Sequence, residues 1–187
     1  RFKSFKTDSI KAKTVLQNWF EITTNLPLGC FSAFVLNGKR IYILLTNADR
    51  HNTQVQKVID TLSTLTERTT KTKPQPITTA LKNFYGRREP LFFKNASAGL
   101  YKNFADIEHC IDKVLNTVIA TPGMIYQVNT LGGNIQNEVF EKASCFPHRG
   151  YTFFSELQTY WDLEKQEAKM LEKFQQVQNL FIDNGIK

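Results

Sequence analysis

The chain has 187 residues, of which 41% are hydrophobic and 15 are phenylalanine, so it is too apolar to be disordered and long enough to bury a core. No apolar run approaches the roughly 20 residues of a membrane-spanning helix, and we expect no membrane segment. The net charge of +7 comes from Lys and Arg residues spread along the whole chain. Nucleic-acid-binding proteins concentrate basic residues on one element, so this distribution disfavours nucleic-acid binding.

The first half of the chain predicts a helix, a hairpin and a second helix. Asp8 or Ser9 can cap a helix whose inward face is Ala12, Val15, Leu16, Trp19 and Phe20. The segments CFSAFVL and RIYILLTN predict two strands joined by a tight turn at Asn37-Gly38. Asn52 or Thr53 begins a helix with apolar positions Val55, Val58, Ile59, Leu62 and Leu65. The polar segment ERTTKTKPQP that follows predicts a loop.

The second half predicts more strands separated by helices. ITTALKNFYG predicts a short helix ending at Gly86, and LFFKN predicts a strand. A helix from Asp106 to Ala120 turns Ile107, Ile111, Val114 and Val118 inward. MIYQVNT predicts a strand that Gly132-Gly133 ends, and the aromatic stretch before Trp161 predicts the last strand. We expect Asp162 to cap a long final helix with Met170, Phe174, Val177 and Phe181 inward.

This order of elements predicts an α+β domain with a largely antiparallel sheet and helices packed on one face. Alternation in the last strand places Phe153, Leu157 and Trp161 towards the helices. The other face then carries Thr152, Phe154, Glu156, Gln158 and Tyr160. In the preceding strand, Met124, Tyr126 and Val128 point one way, and Ile125, Gln127 and Asn129 point the other. Two strands therefore present polar groups on the face without helices.

Cysteine and histidine give no sign of a metal site. The three cysteines, Cys30, Cys110 and Cys145, are odd in number and lack a Cys-x-x-Cys spacing. The three histidines stand near no second ligand at metal spacing. We expect neither a disulfide framework nor a bound metal ion.

One long segment carries a resemblance to a known family. LGGNIQNEVFEKASCFPHRGYTFFSELQTYW resembles a region of the berberine bridge enzyme-like FAD-linked oxidases, in which Gly-Gly, a spacer and Phe-Pro-His-Arg precede a strand that ends in Trp. TVLQNWFEI resembles the family's helix with a central Trp, and FKNASAGLYKNF resembles its lysine-and-serine segment. Nearly the whole chain is similar to the family's substrate-binding domain, for which the resemblance implies a ferredoxin-like sheet.

The resemblance implies a role for the carboxylate in the last strand. In such enzymes the sheet covers the isoalloxazine of FAD, which another domain of the same protein mainly holds. The strand carries a catalytic Glu or Gln five residues before its Trp, and here that position is Glu156. Glu156 would take a proton from an alcohol, sugar or amine as hydride passes to FAD, with oxygen as electron acceptor.

Other residues of the same face are predicted to bind ligands. Four of them are predicted to contact a small-molecule substrate: Gln127, Asn129, Phe154 and Gln158. Gly132 and Gly133 are predicted to allow close approach of the flavin, since glycine has no Cβ. The strand pattern alone fits equally well an exposed Glu156 paired with a lysine, and solvent-facing Gln127 and Asn129.

The family's flavin-binding domain and its Tyr-x-Asn-Tyr element do not appear in this sequence. We therefore expect residues 1–187 to be a single substrate-binding domain of a longer protein, inactive and colourless alone. A cytoplasmic location is expected, because no targeting segment is visible in the chain. The rival hypothesis is a non-catalytic α+β binding module whose polar sheet face docks a protein or a polyanion.

Overall fold

The computed structural model describes residues 1–49, 51–71, 73–82, 91–140 and 143–186. The helices are α1 (Ser9–Thr23), α2 (Gln54–Thr64), α3 (Ile77–Leu81), α4 (Glu108–Ala120) and α5 (Glu167–Asp183). The strands are β1 (Phe2–Ser4), β2 (Cys30–Asn37), β3 (Arg40–Asn47), β4 (Arg68–Thr69), β5 (Phe92–Tyr101), β6 (Met124–Thr130) and β7 (Phe153–Trp161). Short 3₁₀ turns cover Phe104–Asp106, Gly133–Ile135, Glu138–Phe140 and Glu164–Gln166.

The strands form one antiparallel sheet. Within the described residues it has seven strands in the order β4-β1-β3-β2-β6-β7-β5, and every neighbouring pair is antiparallel. Helices α1 and α4 pack on β2, α4 also packs on β6, and α5 packs on β5 and β7. The prediction of an α+β domain with an antiparallel sheet and helices on one face is confirmed. The narrower description as ferredoxin-like stays a prediction.

Aromatic side chains fill the space between the helices and the sheet. The Trp19 ring lies 5.5 Å from the rings of both Phe20 and Phe153, and 6.2 Å from that of Phe34, measured between centroids. All four side chains are buried. The predicted inward face of α1 is therefore confirmed, and burial of such large apolar surfaces is the main source of stability for this fold.

The two helix caps predicted from sequence have opposite outcomes. Asp8 does cap α1, because its Oδ1 accepts a hydrogen bond of 2.8 Å from the backbone N–H of Lys11. Asp162 does not cap the final helix, and that prediction is wrong. The helix begins only at Glu167, after a 3₁₀ turn in which Gln166 Oε1 accepts from the backbone N–H groups of Asp162 and Leu163.

The hairpin between β2 and β3 is confirmed, with its loop one residue later than predicted. Asn37 pairs with Arg40, so Gly38 and Lys39 form a two-residue loop. Gly38 has a φ of 51°, a left-handed conformation that glycine adopts without strain.

Two predicted boundaries in the middle of the chain are wrong. The polar loop after α2 contains β4, which pairs with β1 through the Phe2–Thr69 and Lys3–Arg68 positions. Strand β5 runs well beyond LFFKN to Tyr101, with an irregular register between Ser97 and Gly99. The predicted end of the short helix at Gly86 lies outside the described residues. None of the helices in the described part of the chain is long and apolar enough to cross a membrane.

Candidate functional site

Glu156 lies on the face of the sheet that α1, α4 and α5 leave uncovered, here called the open face. Its neighbour Leu157 is buried under the helices, and β7 alternates between buried and half-buried positions from Phe153 to Trp161. Across the β6–β7 pair, Gln127 stands opposite Glu156 and Asn129 stands opposite Phe154. The predicted placement of Glu156, Gln127 and Asn129 on one face is confirmed.

Two neutral amides hold the Glu156 carboxylate. Asn129 Nδ2 donates to Glu156 Oε1 at 3.0 Å, and Gln158 Nε2 donates to Glu156 Oε2 at 3.1 Å. Hydrogen bonds to a charged group contribute about 1.5–3 kcal/mol each. Glu156 takes part in none of the ion pairs found among the described residues, so the interpretation of a lysine-paired glutamate gains no support there.

Each of these amides is held in turn by a further side chain. Gln127 Nε2 donates to Asn129 Oδ1 at 2.9 Å, and the Tyr160 hydroxyl donates to Gln158 Oε1 at 2.9 Å. The five side chains from Gln127 to Tyr160 therefore form one continuous series of hydrogen bonds, which we call the carboxylate chain. Sequence reasoning placed Tyr160 on this face but gave it no role, because its link to Glu156 depends on side-chain geometry.

An aromatic pair lies at one end of the carboxylate chain. The rings of Phe93 and Tyr160 are stacked, with centroids 6.0 Å apart and an angle of 25° between their planes. Phe93 is 64% exposed, so the pair presents a flat apolar surface to solvent. Burial, and then the charge of Glu156, raise the pKa of Tyr160 above its ordinary value, which keeps its hydroxyl protonated and able to donate.

Phe154 contributes an apolar side chain to the other end of the open face. It is half-buried, and it stands opposite Asn129 on β6 and Leu100 on β5. The predicted substrate contacts thus divide into three amides that belong to the carboxylate chain and one aromatic ring beside it.

The glycine pair lies just beyond the end of β6 and is exposed. A Cβ added at Gly132 or at Gly133 would meet no atom of the described residues within 4 Å. Gly133 also has a φ of 58°, in the left-handed region that favours glycine. At this point the chain offers bare backbone with free space around it.

A surface cavity of about 480 Å³ lies in the loop that follows the glycine pair, lined by Asn134, Ile135, Phe140, Ser144, Phe146 and Arg149. Arg149 Nη1 donates to the backbone carbonyls of Asn134 and Ile135 at 2.9 and 2.7 Å, and its Nη2 donates to Ser144 Oγ. Arg149 therefore ties together backbone carbonyl groups of this loop. Sequence reasoning missed the cavity, because it depends on how this loop folds back on itself.

The described residues do not include a group of side chains suited to binding a metal ion. Among the residues that the structure describes, no three His, Cys, Asp or Glu side chains are grouped so that they could hold a metal ion.

Comparison by sequence gives no relative: no family model matches the chain, and no curated protein matches it. Solved structures do match. A variant of berberine bridge enzyme, described as a reticuline dehydrogenase, superposes with a TM-score of 0.73 at 14% identity, over 97% of this chain and 40% of that chain. The fold is that of the berberine bridge enzyme-like proteins.

Two further berberine bridge enzyme-like matches agree with the first. Wild-type BBE-like 1 of Physcomitrella patens gives a TM-score of 0.73 at 14% identity, over 96% of this chain and 42% of that chain. A variant of Phl p 4, described as a glucose oxidase, gives 0.76 at 20% identity, over 97% of this chain and 40% of that chain. The chain thus spans about two-fifths of the length of the berberine bridge enzyme-like structures that it matches.

Proposed function

We propose that residues 1–187 are the substrate-facing domain of a flavin-dependent oxidoreductase that oxidises an alcohol, a sugar or an amine. The berberine bridge enzyme-like fold supports this, since two proteins that share it are described as a reticuline dehydrogenase and a glucose oxidase. The observation that carries the proposal is the Glu156 carboxylate, which two neutral amides fix on the uncovered face of the sheet. A general base must lie at a defined position within hydrogen-bond reach of the proton it removes, and the two amides define the position of this carboxylate.

In the proposed reaction, Glu156 removes the proton from the hydroxyl or amine group of the substrate. The electron pair of the neighbouring C–H bond leaves with its hydrogen as hydride, and a C=O or C=N bond forms on the substrate. When bound, FAD would supply the hydride acceptor, and oxygen would later take up the electrons. General-base assistance of this kind contributes roughly 10²–10⁴-fold to the rate.

The residues present fit a flavin lying against this domain. Gly132 and Gly133 leave free space at the end of β6, so a flat ring could approach the backbone without meeting a side chain. The two side chains that hydrogen-bond to Glu156 are neutral amides, so we propose that the pyrophosphate of the cofactor lies away from this carboxylate. That part of the cofactor would be held by protein outside this chain.

The decisive experiment is Glu156→Gln in the intact, flavin-loaded protein. Flavin reduction is followed by rapid mixing with substrate without oxygen, so that reoxidation does not enter. We expect flavin content to be unchanged and reduction to slow by about 100-fold or more, because the amide that replaces the carboxylate cannot accept the proton. Glu164→Gln serves as the matched control, since Glu164 is an exposed residue in the turn after β7.

Equal reduction rates for Glu156→Gln and wild type would overturn the general-base role. The oxidoreductase proposal itself fails if the intact protein, purified from cells, contains no flavin. That outcome would favour the non-catalytic binding module, in which the open face docks another molecule.

A further inference from the structure

The hydrogen bonds of the carboxylate chain all run towards Glu156. On one side, Gln127 donates to Asn129 and Asn129 donates to Glu156. On the other side, Tyr160 donates to Gln158 and Gln158 donates to Glu156. Each oxygen of the carboxylate therefore stands at the end of its own series of aligned donors, and aligned donors polarise one another towards the acceptor.

We propose that Asn129 and Gln158 are positioning residues for Glu156, and that Tyr160 and Gln127 act on Glu156 through them. The inference rests on the proposed function of Glu156. Tyr160 thereby acquires a role in the reaction. Gln127, Asn129 and Gln158, which were predicted to bind substrate, would instead orient the Glu156 carboxylate.

Asn129 and Gln158 each already make one hydrogen bond through the amide oxygen and one through the amide nitrogen. Asn129 uses its oxygen to accept from Gln127 and its nitrogen to donate to Glu156. Gln158 uses its oxygen to accept from Tyr160 and its nitrogen to donate to Glu156. Asn129 is also only 9% exposed, so little of it remains for contact with a bound substrate.

A glutamate that acts as a general base needs a fixed position. Its side chain has several rotatable bonds, whereas proton transfer requires the carboxylate to lie about 2.6–3.2 Å from the proton donor. A hydrogen bond to each oxygen fixes both the direction of the side chain and the rotation of the carboxylate plane. Neutral donors do so without placing a cation beside the base.

Tyr160 has its ring held by stacking on Phe93. A fixed ring gives its hydroxyl a fixed position, and that hydroxyl donates to Gln158 at 2.9 Å. Gln158 is thereby held with its nitrogen towards Glu156. The aromatic pair thus anchors one arm of the carboxylate chain.

The sharpest test is Tyr160→Phe in the intact protein, because it removes only the hydroxyl and keeps the stacked ring. A displacement of about 1 Å can slow a reaction by about 100-fold, and we expect a smaller displacement here that slows flavin reduction by about tenfold. The substrate concentration at half-maximal reduction should stay the same. Tyr42→Phe is the matched control: Tyr42 is a half-buried tyrosine on the open face of β3, beside Lys3.

A double-mutant cycle separates action through Glu156 from a general structural effect. Tyr160→Phe should slow reduction in the wild-type background and have almost no further effect in the Glu156→Gln background. Equal factors in both backgrounds would overturn the inference while leaving the general-base role intact. If Glu156→Gln alone has no effect, the general-base role of Glu156 has failed instead.

A second variant distinguishes positioning from substrate binding. Asn129→Leu keeps the size of the side chain and removes the donor to Glu156 Oε1. A positioning role predicts a slower maximal rate of reduction with unchanged half-saturation. A higher substrate concentration at half-maximal reduction, with an unchanged maximal rate, would show that Asn129 binds substrate. The inference would then be wrong.

The hydrogen bonds can also be observed without substrate, in the intact protein. In spectra of the side-chain amides, those of Asn129 and Gln158 should shift when Glu156→Gln removes the charged acceptor. A ¹³C-labelled Tyr160 should titrate at lower pH in that variant, because the charge of Glu156 raises the Tyr160 pKa. Unchanged amide signals and an unchanged Tyr160 titration would contradict the carboxylate chain.

Discussion

Trp19 donates from its indole Nε1 to Ser32 Oγ at 3.0 Å, inside the core of the domain. Ser32 Oγ donates in turn to the backbone carbonyl of Leu44 at 2.7 Å. The side chains of Trp19 and Ser32 are completely buried, so water cannot replace this serine as acceptor. The Ser32 hydroxyl therefore accepts the hydrogen bond of the buried Trp19 indole and also links β2 to β3.

Replacing that hydroxyl should destabilise the domain measurably. In Ser32→Ala the indole N–H of Trp19 would lose its acceptor, and an unsatisfied buried donor costs about 1–3 kcal/mol. We expect the free energy of unfolding in urea to fall by this amount. Ser63→Ala is the control, because Ser63 only donates to the Ile59 carbonyl within its own helix. A similar small loss in both variants would contradict the role of Ser32.

Gly123 should tolerate no side chain. Its φ is 93°, and a Cβ there would lie 2.3 Å from the backbone oxygen of Tyr160. Backbone atoms of β7 cannot move away easily, so Gly123→Ala should lower the free energy of unfolding by more than about 2 kcal/mol. Gly133→Ala shares the positive φ but has free space, and should cost only about 1–2 kcal/mol. Equal losses would show that backbone conformation alone matters.

Alkaline pH should weaken the domain through its buried tyrosines. Burial raises the pKa of Tyr101 to about 12 from its ordinary value of 10, and burial also raises the pKa of Tyr126. Above pH 10 the unfolded chain loses these protons while the folded protein keeps them. Stability is therefore complete below pH 10 and falls as the pH rises towards 12, by up to about 1.4 kcal/mol per unit for each tyrosine.

Urea unfolding between about pH 8 and pH 11.5 would measure that slope. The stability of Tyr101→Phe should fall less steeply with rising pH than that of wild type, because one of the two buried tyrosines with a raised pKa is gone. Wild-type stability that does not change over this range would contradict the prediction.

Gly132 offers a test of the cofactor surface that needs no activity. Gly132→Leu should fold normally, since the residue has an extended backbone and no described atom within 4 Å of an added Cβ. In the intact protein it should lower the ratio of flavin absorbance to protein absorbance, because the side chain would fill the space left for the ring. Gly150→Leu is the control at another open glycine. Normal flavin content in Gly132→Leu would argue against contact there.

The alternation along β6 and β7 was enough to predict the open face. Core positions such as Val128 and Leu157 stand at every second place, and burial follows that alternation along β7, where the polar residues Ser155 and Thr159 are also buried. The resemblance drew attention to Glu156, but one strand cannot reveal which residues of its neighbour it meets. The contact between Glu156 and Asn129 runs diagonally across the β6–β7 pair, since Gln127 is the residue directly opposite Glu156.

The missed strand features depend on contacts distant in sequence, and the failed cap depends on a nearby side chain. Strand β4 has two residues, too few for any periodicity, and it forms because β1 offers a free edge. Strand β5 continues past Gly99 because it pairs with β7 up to Tyr101. Glycine fits at this position because a Cβ would lie 2.5 Å from the side chains of Tyr101 and Ile186. The cap at Asp162 failed because Gln166 supplies the acceptor from within the turn.

The alternation along β7 also has a consequence for how such a sheet can diverge. Every second residue belongs to the core, and the residues between belong to the open face, so the two sets share no positions. Substitutions at Phe154, or at Ile125 on the neighbouring strand, can therefore change what the open face meets without altering the volumes packed under the helices. Half of the strand is free to evolve new recognition while the other half preserves the fold.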